Sequence, residues 1–163
     1  MAFNFKKLSI LLVEDSPPML KIMAAVLQAL EVGRVDTAEN GEQGFELFCE
    51  HNHDLVITDW QMEPMDGIEL TKKIRMDSKS PNRKVPIILA SGHIGLEWVN
   101  RARDSGVSEL LIKPFSANDL AKRISYVVNK PRKFVECSAF FGPERRRKDD
   151  PDYHGEERRE DEA

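Results

Sequence analysis

Three carboxylates, one hydroxyl and one ammonium group stand directly after short apolar segments of the chain. Glu14 and Asp15 follow the first segment, and Asp59, Ser91 and Lys113 end three later ones. Carboxylates that lie close together repel one another unless a cation joins them. Oxygen ligands suit Mg²⁺, which typically takes one or two carboxylates together with phosphate oxygens and water. If these side chains meet in the fold, they predict a magnesium site built for phosphoryl chemistry.

Asp59 is the candidate nucleophile of such a site, because a carboxylate can attack phosphorus and become an acyl phosphate. The transition state spreads negative charge over the transferring oxygens, so that cations must surround it. Lys113 and Mg²⁺ would supply the positive charge, and Ser91 would hydrogen-bond a phosphoryl oxygen. Taken singly, these residues are more often helix caps, turn residues or solvated charges. Five of them at equivalent places after strands favour a functional site.

The apolar segments alternate with helical patterns, which is typical of repeated strand–helix units. The predicted strands cover residues 8–13, 34–38, 55–58, 86–90 and 109–112. Nearly continuous apolar strands indicate a parallel sheet that is covered on both faces. The sequence therefore predicts an α/β fold, a doubly wound five-stranded parallel sheet with helices on both faces. Ligands bind such sheets beyond the carboxyl ends of the strands, where the candidate residues stand.

Apolar spacing and capping residues also predict where the helices end and which faces they bury. Gly33 is expected to cap the end of the first helix. Asp119, three residues after Ser116, predicts a capping box at the start of the last helix. The buried faces are expected to include Cys49 in the second helix and Leu96 in the fourth.

The composition bounds the class of protein. The chain has 163 residues, 40% of them apolar, and a formal net charge of −4. These values predict one globular domain with a tail and do not suggest a general binder of nucleic acid or membrane surfaces. Two cysteines do not resemble a disulfide framework, and the N-terminus lacks the order of a signal peptide. We therefore expect free thiols and a cytoplasmic protein without a membrane span.

We divide the chain into a domain over residues 1–130 and a charged C-terminal tail over residues 131–163. The tail shows little periodicity, and we predict that it is largely extended or disordered. Phe140 and Phe141 stand side by side in this polar segment and suggest docking, within the chain or onto a partner. The basic cluster at 145–148 is balanced by the acidic residues after it. It therefore does not favour nucleic acid as a partner.

Taken in order, the motifs resemble the receiver domain of two-component response regulators, and in particular the single-domain, chemotaxis-regulator-like kind. The resemblance covers about residues 8 to 129. It is carried by Glu14-Asp15, Asp59 with Met65-Asp66-Gly67, Ser91-Gly92 and Lys113-Pro114-Phe115. It implies the flavodoxin-like receiver fold, with strand order 2-1-3-4-5.

The resemblance also implies a role for each site residue. By this resemblance, Asp59 is the phosphoacceptor. Mg²⁺ is held by Glu14 and Asp15 with Asp59, and the Gln61 backbone carbonyl is a further ligand. Ser91 is the switch hydroxyl, and Lys113 contacts the phosphate. The Lys113–Pro114 bond is expected to be cis, as in the family. The phosphoryl group would come from the phosphohistidine of a histidine kinase or phosphotransfer protein.

Several positions that shape or tune the switch depart from the family pattern or vary within it. Leu110 occupies the place where the family usually has an aromatic switch residue, so a standard aromatic rotation is not expected. Pro64 follows Glu63, one place later than the usual proline. Gln61 and His93, with Gly92 beside it, occupy the positions that tune dephosphorylation.

The expected output is protein binding. We expect no DNA-binding output domain, and the surface of helix four, strand five and helix five, with the tail, is the expected contact for a downstream protein. The first alternative is a pseudo-receiver, a protein-binding module that is never phosphorylated. The second is an aspartyl-phosphate hydrolase, which is disfavoured because Gln61 stands where those enzymes carry a second Asp as general acid. We expect catalysis only of the chain's own phosphorylation and dephosphorylation.

Overall fold

The structure is a computed structural model that describes residues 4–93, 95–137 and 140–144. After a short 3₁₀ turn at Phe5–Lys7, five parallel strands form one sheet in the order β2-β1-β3-β4-β5. The strands are β1 (Ser9–Val13), β2 (Arg34–Ala38), β3 (Leu55–Asp59), β4 (Ile87–Ser91) and β5 (Glu109–Ile112). The predicted α/β doubly wound sheet is confirmed, and strand limits differ from prediction by at most one residue.

Five helices connect the strands and cover both faces of the sheet. They are α1 (Pro17–Ala29), α2 (Gly41–His51), α3 (Gly67–Met76), α4 (Leu96–Ser105) and α5 (Ala117–Asn129). Alternate residues of β1 serve opposite faces: Ile10 and Leu12 pack with α1 and α5, whereas Leu11 and Val13 pack with α2 and α3. Since successive side chains of a strand point to opposite faces, a sheet covered on both sides needs apolar residues throughout.

Side-chain caps determine where three helices begin. The Asn40 side chain accepts the Gln43 N–H before α2, and the Asp66 side chain caps α3 in the same way. Ser116 and Asp119 form the predicted capping box before α5, with both hydrogen bonds present. Each cap satisfies backbone N–H groups that a helix start leaves without partners.

The prediction that Gly33 caps α1 is wrong. The helix ends at Ala29, and the left-handed residue after it is Glu31, with φ 63°. Gly33 serves a close approach of two backbone segments instead. A Cβ atom at this position would lie 2.2 Å from the Lys6 carbonyl oxygen, and the Gly33 N–H donates to the Phe5 oxygen at 3.2 Å.

Two predicted buried positions are exposed. Cys49 lies at the surface, and Phe45 and Phe48 form the buried face of α2. Leu96 is 64% exposed, because α4 buries residues of its C-terminal half, including Ala102, and leaves its first turn at the rim of the fold. Helical spacing identified these faces but did not show how far along each helix the packing extends.

Residues after α5 form a β-hairpin that the sequence analysis did not predict. Strand β6 (Phe134–Cys137) pairs in antiparallel fashion with β7 (Phe140–Pro143). Phe141 is buried, and β7 packs against α3 and α4. Each strand has only four residues, too few to show a periodic signal. The boundary at residue 130 stays a prediction, and the basic cluster at 145–148 lies outside the described residues.

Arg75 connects the hairpin to the amino edge of the sheet. Its side chain is fully buried, and the Phe134 ring covers the guanidinium at 4.9 Å. The guanidinium donates to the backbone oxygens of Gly106 at 3.0 Å, Arg83 at 2.8 Å and Val85 at 2.6 Å. Burial lowers the pKa of Arg75 to about 9, so it still carries its charge at neutral pH. This charge is balanced by carbonyl dipoles.

His53 forms a second buried polar contact at the same edge. The ring is buried, and its Nε2 lies 2.6 Å from Asp36 Oδ2. The Nδ1 atom has no hydrogen-bond partner among the described residues. Arg34 lies between Asp36 and His51 and donates to both. Burial lowers the pKa of His53, although the Asp36 carboxylate opposes this shift.

We expect stability to fall in acid because of His53. Below about pH 6.5 this histidine is protonated in the unfolded chain but stays neutral in the native state. The free energy of unfolding therefore decreases as the pH falls toward the lowered native pKa. In His53→Gln this dependence is expected to flatten, since glutamine can donate to Asp36 but does not titrate. Urea denaturation between pH 7 and pH 5 measures the effect. His51→Gln is the matched control, and an unchanged slope in His53→Gln would contradict the assignment.

Cys49 and Cys137 are both free and exposed. This agrees with the expectation that the cysteines form no disulfide. None of the helices in the described part of the chain combines the length and the apolar character that crossing a membrane requires.

Candidate functional site

The carboxyl ends of four strands bring the predicted site residues to one edge of the sheet. Glu14 and Asp15 follow β1, Asp59 ends β3, Ser91 ends β4, and Lys113 follows β5. The strand pairing continues beyond β5, because the Lys113 N–H donates to the Ser91 oxygen at 2.8 Å. On the other side the Glu14 N–H donates to the oxygen of Ala38, the last residue of β2, at 3.0 Å.

Glu14, Asp15 and Asp59 form an acidic cluster. One carboxylate oxygen from each lies within 4.8 Å of the others. Glu14 is buried, Asp59 is partly buried and Asp15 is exposed, so the cluster opens to solvent on one side. An all-oxygen, net acidic donor set with an open side fits Mg²⁺, which keeps water and phosphate oxygens in its coordination shell. Glu14, Asp15 and Asp59 are therefore the residues that would hold the ion.

Lys113 is the cation that the fold itself places in this cluster. Its Nζ lies 2.9 Å from Asp59 Oδ1 and 3.3 Å from Glu14 Oε2. Burial alone would lower the pKa of Lys113, but the hydrogen bond and charge of Asp59, aided by Glu14, raise it above its usual value. The Lys113–Pro114 peptide bond is cis. Lys113 thus stays charged and holds one oxygen of Asp59.

For Glu14, burial and a neighbouring negative charge disfavour the ionised form of the side chain. Burial, and then the charge of Asp59, raise the pKa of Glu14, while Lys113 partly offsets them. The Ser16 N–H also donates to Glu14 Oε1 at 3.3 Å. One ammonium group does not neutralise three carboxylates, so the site favours a further cation.

Ser91 is buried at the end of β4, and its hydroxyl oxygen accepts the His93 N–H at 3.0 Å. Gly92 between them is exposed, and a Cβ atom there would meet nothing within 4 Å. The His93 ring lies against Trp98 of α4, with ring centroids 4.2 Å apart. The hydroxyl is therefore engaged with the loop that leads into α4.

Gly67 positions the loop that follows Asp59, a role that the sequence analysis did not assign. A Cβ atom at Gly67 would lie 2.2 Å from the Asp59 carbonyl oxygen, and the Gly67 N–H donates to the Trp60 oxygen at 2.8 Å. The loop between them includes a second cis bond, Glu63–Pro64. Gln61 is exposed in this loop, and its role as a carbonyl ligand stays a prediction.

Leu110 is partly buried beside an apolar cluster near the site. The cluster consists of Trp60, Ile68, Leu89, Ala102 and Val107, with Trp98 and Leu110 packed against it. Trp98 meets Trp60 edge-on, with centroids 4.9 Å apart. This aromatic pair could not be predicted from the sequence, since Trp60 and Trp98 are distant in the chain and their contact depends on how α4 packs.

A family model described as the response regulator receiver domain matches residues 10–125. Among curated proteins, the chain is 28% identical over 125 residues to the chemotaxis protein CheY-3 of Vibrio cholerae, covering 77% of this chain and 95% of CheY-3. It is 33% identical over 122 residues to the chemotaxis protein CheY1 of Helicobacter pylori, covering 74% of this chain and 97% of CheY1.

Solved structures agree with these similarities. The chemotaxis protein CheY4 of Vibrio cholerae superposes with a TM-score of 0.68 at 27% identity, covering 74% of this chain and 98% of CheY4. The receiver domain of the histidine kinase CKI1 from Arabidopsis thaliana, complexed with Mg²⁺ and BeF3⁻, superposes with a TM-score of 0.69 at 28% identity. That match covers 77% of this chain and 93% of the CKI1 domain.

Proposed function

This chain belongs to the response regulator receiver domain family, and on that premise we propose that Asp59 is the phosphoacceptor of a two-component phosphorelay. One observation carries the proposal: Lys113 holds Asp59 beside Glu14 and Asp15 in a partly open acidic cluster. Phosphoryl transfer to a carboxylate requires that the carboxylate be held in position. It also requires positive charge beside the oxygens of the incoming phosphoryl group.

The proposed reaction is an in-line displacement at phosphorus. A carboxylate oxygen of Asp59 attacks the phosphoryl group of a phosphohistidine, an oxygen–phosphorus bond forms, and the phosphorus–nitrogen bond of the donor breaks. The electron pair of that bond stays on the imidazole nitrogen, which takes a proton from water. Lys113 remains charged throughout, so it stabilises the transferring oxygens without exchanging a proton.

Mg²⁺, when bound, supplies positive charge that offsets the negative charge of the transferring phosphoryl oxygens. Glu14 and Asp15 are the residues of this chain that would hold it, together with Asp59 and the Gln61 carbonyl. Glu14 is buried, so it is already oriented, whereas exposed Asp15 leaves the open side for water and phosphate. Ser91 supplies a hydroxyl for a phosphoryl oxygen.

The proposed donor is a histidine kinase or a phosphotransfer protein, and the proposed output is a switch in binding to a downstream protein. Similarity to the chemotaxis proteins CheY-3 and CheY1 and to a histidine kinase receiver domain supports this class of partner. We propose α4, β5 and α5, with the residues after α5, as the contact surface. The exposed side chains of Leu96 and Ile112 lie on this surface. Such transfer would take place in the cytoplasm.

A small acyl phosphate tests the proposal without the unknown kinase. Incubating the full chain with acetyl phosphate and Mg²⁺ is expected to add one phosphoryl group, detected as a single mass increment. In Asp59→Asn the increment is expected to vanish, since an amide is not a nucleophile toward phosphorus. Asp54→Asn is the matched control, because Asp54 lies before β3 at the opposite end and accepts the Ser9 N–H. It should be labelled like the original protein.

The outcomes separate the candidate functions. A single adduct that requires Asp59 supports the phosphoacceptor. No adduct in the unmodified chain would identify a pseudo-receiver, and an adduct that persists in Asp59→Asn would place the chemistry elsewhere. Steady release of phosphate from external esters would indicate the hydrolase.

A further inference from the structure

A stack of aromatic rings leads from the site edge toward the residue that follows Asp59. The His93 ring lies nearly parallel to the Trp98 indole, at 4.2 Å with an interplanar angle of 11°. Trp98 in turn meets Trp60 edge-on at 4.9 Å. Trp60 is 2% exposed, and its backbone is fixed by a hydrogen bond from its N–H to the Ala90 oxygen. The stack therefore connects the loop before α4 to a rigid base beside Asp59.

The Ser91 hydroxyl controls the outer end of this stack. Its oxygen accepts the His93 N–H at 3.0 Å. The Ser91 backbone is held by pairing with Ile112 of β5, so the hydroxyl can move only by rotation of the side chain. A change of rotamer displaces the oxygen by about 2 Å, which is more than a hydrogen bond tolerates. A hydroxyl that rotates toward a phosphoryl group on Asp59 would thus release His93.

Among the described residues, those of the first turn of α4 have little burial and no side-chain cap. Its N-cap is Gly95, which provides no side-chain cap, and Leu96 is 64% exposed. Trp98 and Arg101 hold this turn to Trp60, with the Arg101 guanidinium 5.5 Å from the Trp60 ring and 5.2 Å from the Trp98 ring. A helix end with little burial and no cap is the kind of element that moves at low cost.

Leu110 cannot take the place of this stack. It packs beside the same cluster but is aliphatic and only partly buried, so it offers no ring to exchange between two positions. The Ser91 hydroxyl instead contacts His93, whose ring stacks on Trp98. An aromatic element that responds to Ser91 is therefore found at His93 and Trp98 and not at residue 110.

We propose that His93 and Trp98 are the element that reports phosphorylation in this chain, an inference that rests on the proposed function of Asp59. In the unphosphorylated state Ser91 holds His93 on Trp98. Phosphorylation recruits the Ser91 hydroxyl, His93 leaves the indole, and one face of Trp98 becomes available at the start of α4. His93 is a positioning residue in this scheme and takes no part in phosphoryl transfer.

Fluorine NMR tests the proposal on the full chain. The protein has two tryptophans, so 5-fluorotryptophan gives two resonances, which Trp98→Phe assigns. On treatment with acetyl phosphate and Mg²⁺, the Trp98 resonance is expected to move as the shielding by His93 is lost. In His93→Ala it should lie near the phosphorylated position from the outset, and its shift on labelling should fall to about a third or less of the original. If His93 had only a structural role, His93→Ala would move the Trp98 resonance of the unphosphorylated and the phosphorylated protein alike. The difference between the two resonances would then stay unchanged.

Leu110→Val is the matched control and should keep the full shift, because it alters the family's aromatic position by one methylene and leaves His93, Trp98 and Trp60 in place. Loss of the shift in Leu110→Val with retention in His93→Ala overturns the proposal. Mass measurement of the same samples separates two failures. A complete Asp59 adduct with an unmoved Trp98 resonance overturns the reporting role alone, whereas absence of the adduct overturns the proposed function together with it.

Discussion

Replacing Arg75 by methionine is expected to lower the free energy of unfolding by about 3 to 5 kcal/mol. The loss has a specific cause. The backbone oxygens of Gly106, Arg83 and Val85 accept hydrogen bonds from this guanidinium, and in the variant those bonds have no donor. Each buried acceptor without a partner costs about 1 to 3 kcal/mol. Methionine keeps an unbranched apolar stem at this position but lacks the guanidinium, so the change removes these hydrogen bonds together with the planar head group.

Arg75 differs from a member of a buried ion pair. A buried pair can often be replaced by apolar residues at no cost, because both charges are removed together. Here the partners of Arg75 are main-chain carbonyls, which no side-chain substitution removes. Arg75→Lys is expected to fall between the original and the methionine variant, since a single ammonium group cannot match the fork of a guanidinium.

Urea denaturation followed by circular dichroism measures the Arg75 effect. Arg103→Met is the matched control, because Arg103 is partly exposed near the end of α4, and its replacement should change stability by about 0.5 kcal/mol or less. A loss below about 1 kcal/mol in Arg75→Met would contradict the role assigned to this residue.

Replacing the acidic pair, Glu14→Gln with Asp15→Asn, is expected to slow labelling of Asp59 by about 100-fold or more. The two carboxylates that would hold Mg²⁺ with Asp59 are lost, so positive charge is missing where the phosphoryl oxygens gather. The measurement is the initial rate of adduct formation from acetyl phosphate, with and without a chelator. Removing Mg²⁺ should slow the original protein to the rate of the variant and leave the variant unchanged.

Stability separates a lost metal site from a damaged fold. Without Mg²⁺ the double variant should unfold at the same or a higher temperature than the original, because the repulsion between Glu14 and Asp59 is removed. Added Mg²⁺ should raise the melting temperature of the original protein only, by mass action. A variant that melts early, or that is still stabilised by Mg²⁺, would contradict this assignment of the ligands.

The amino-acid sequence by itself determined the sheet, the order of its elements and the place of the site. Continuous apolar strands alternating with helical patterns are compatible with few folds other than a covered parallel sheet, and the ends of parallel strands meet at one edge. Asp59, Ser91 and Lys113 could therefore be placed together from their positions after strands alone. The capping box at Ser116 could also be predicted from the sequence, because its hydrogen bonds join residues that are three positions apart.

Only the tertiary structure decided the features that depend on contacts between distant segments. From the sequence alone, Arg75 is indistinguishable from other charged residues of a surface helix. In the fold, the Gly106 and Val85 carbonyls accept its hydrogen bonds and the Phe134 ring covers it. The stack of His93, Trp98 and Trp60 likewise depends on how α4 lies against the sheet. Local sequence patterns indicate interactions between residues that are close in the chain. Burial of a charge or contact between two rings depends on how distant segments pack against each other.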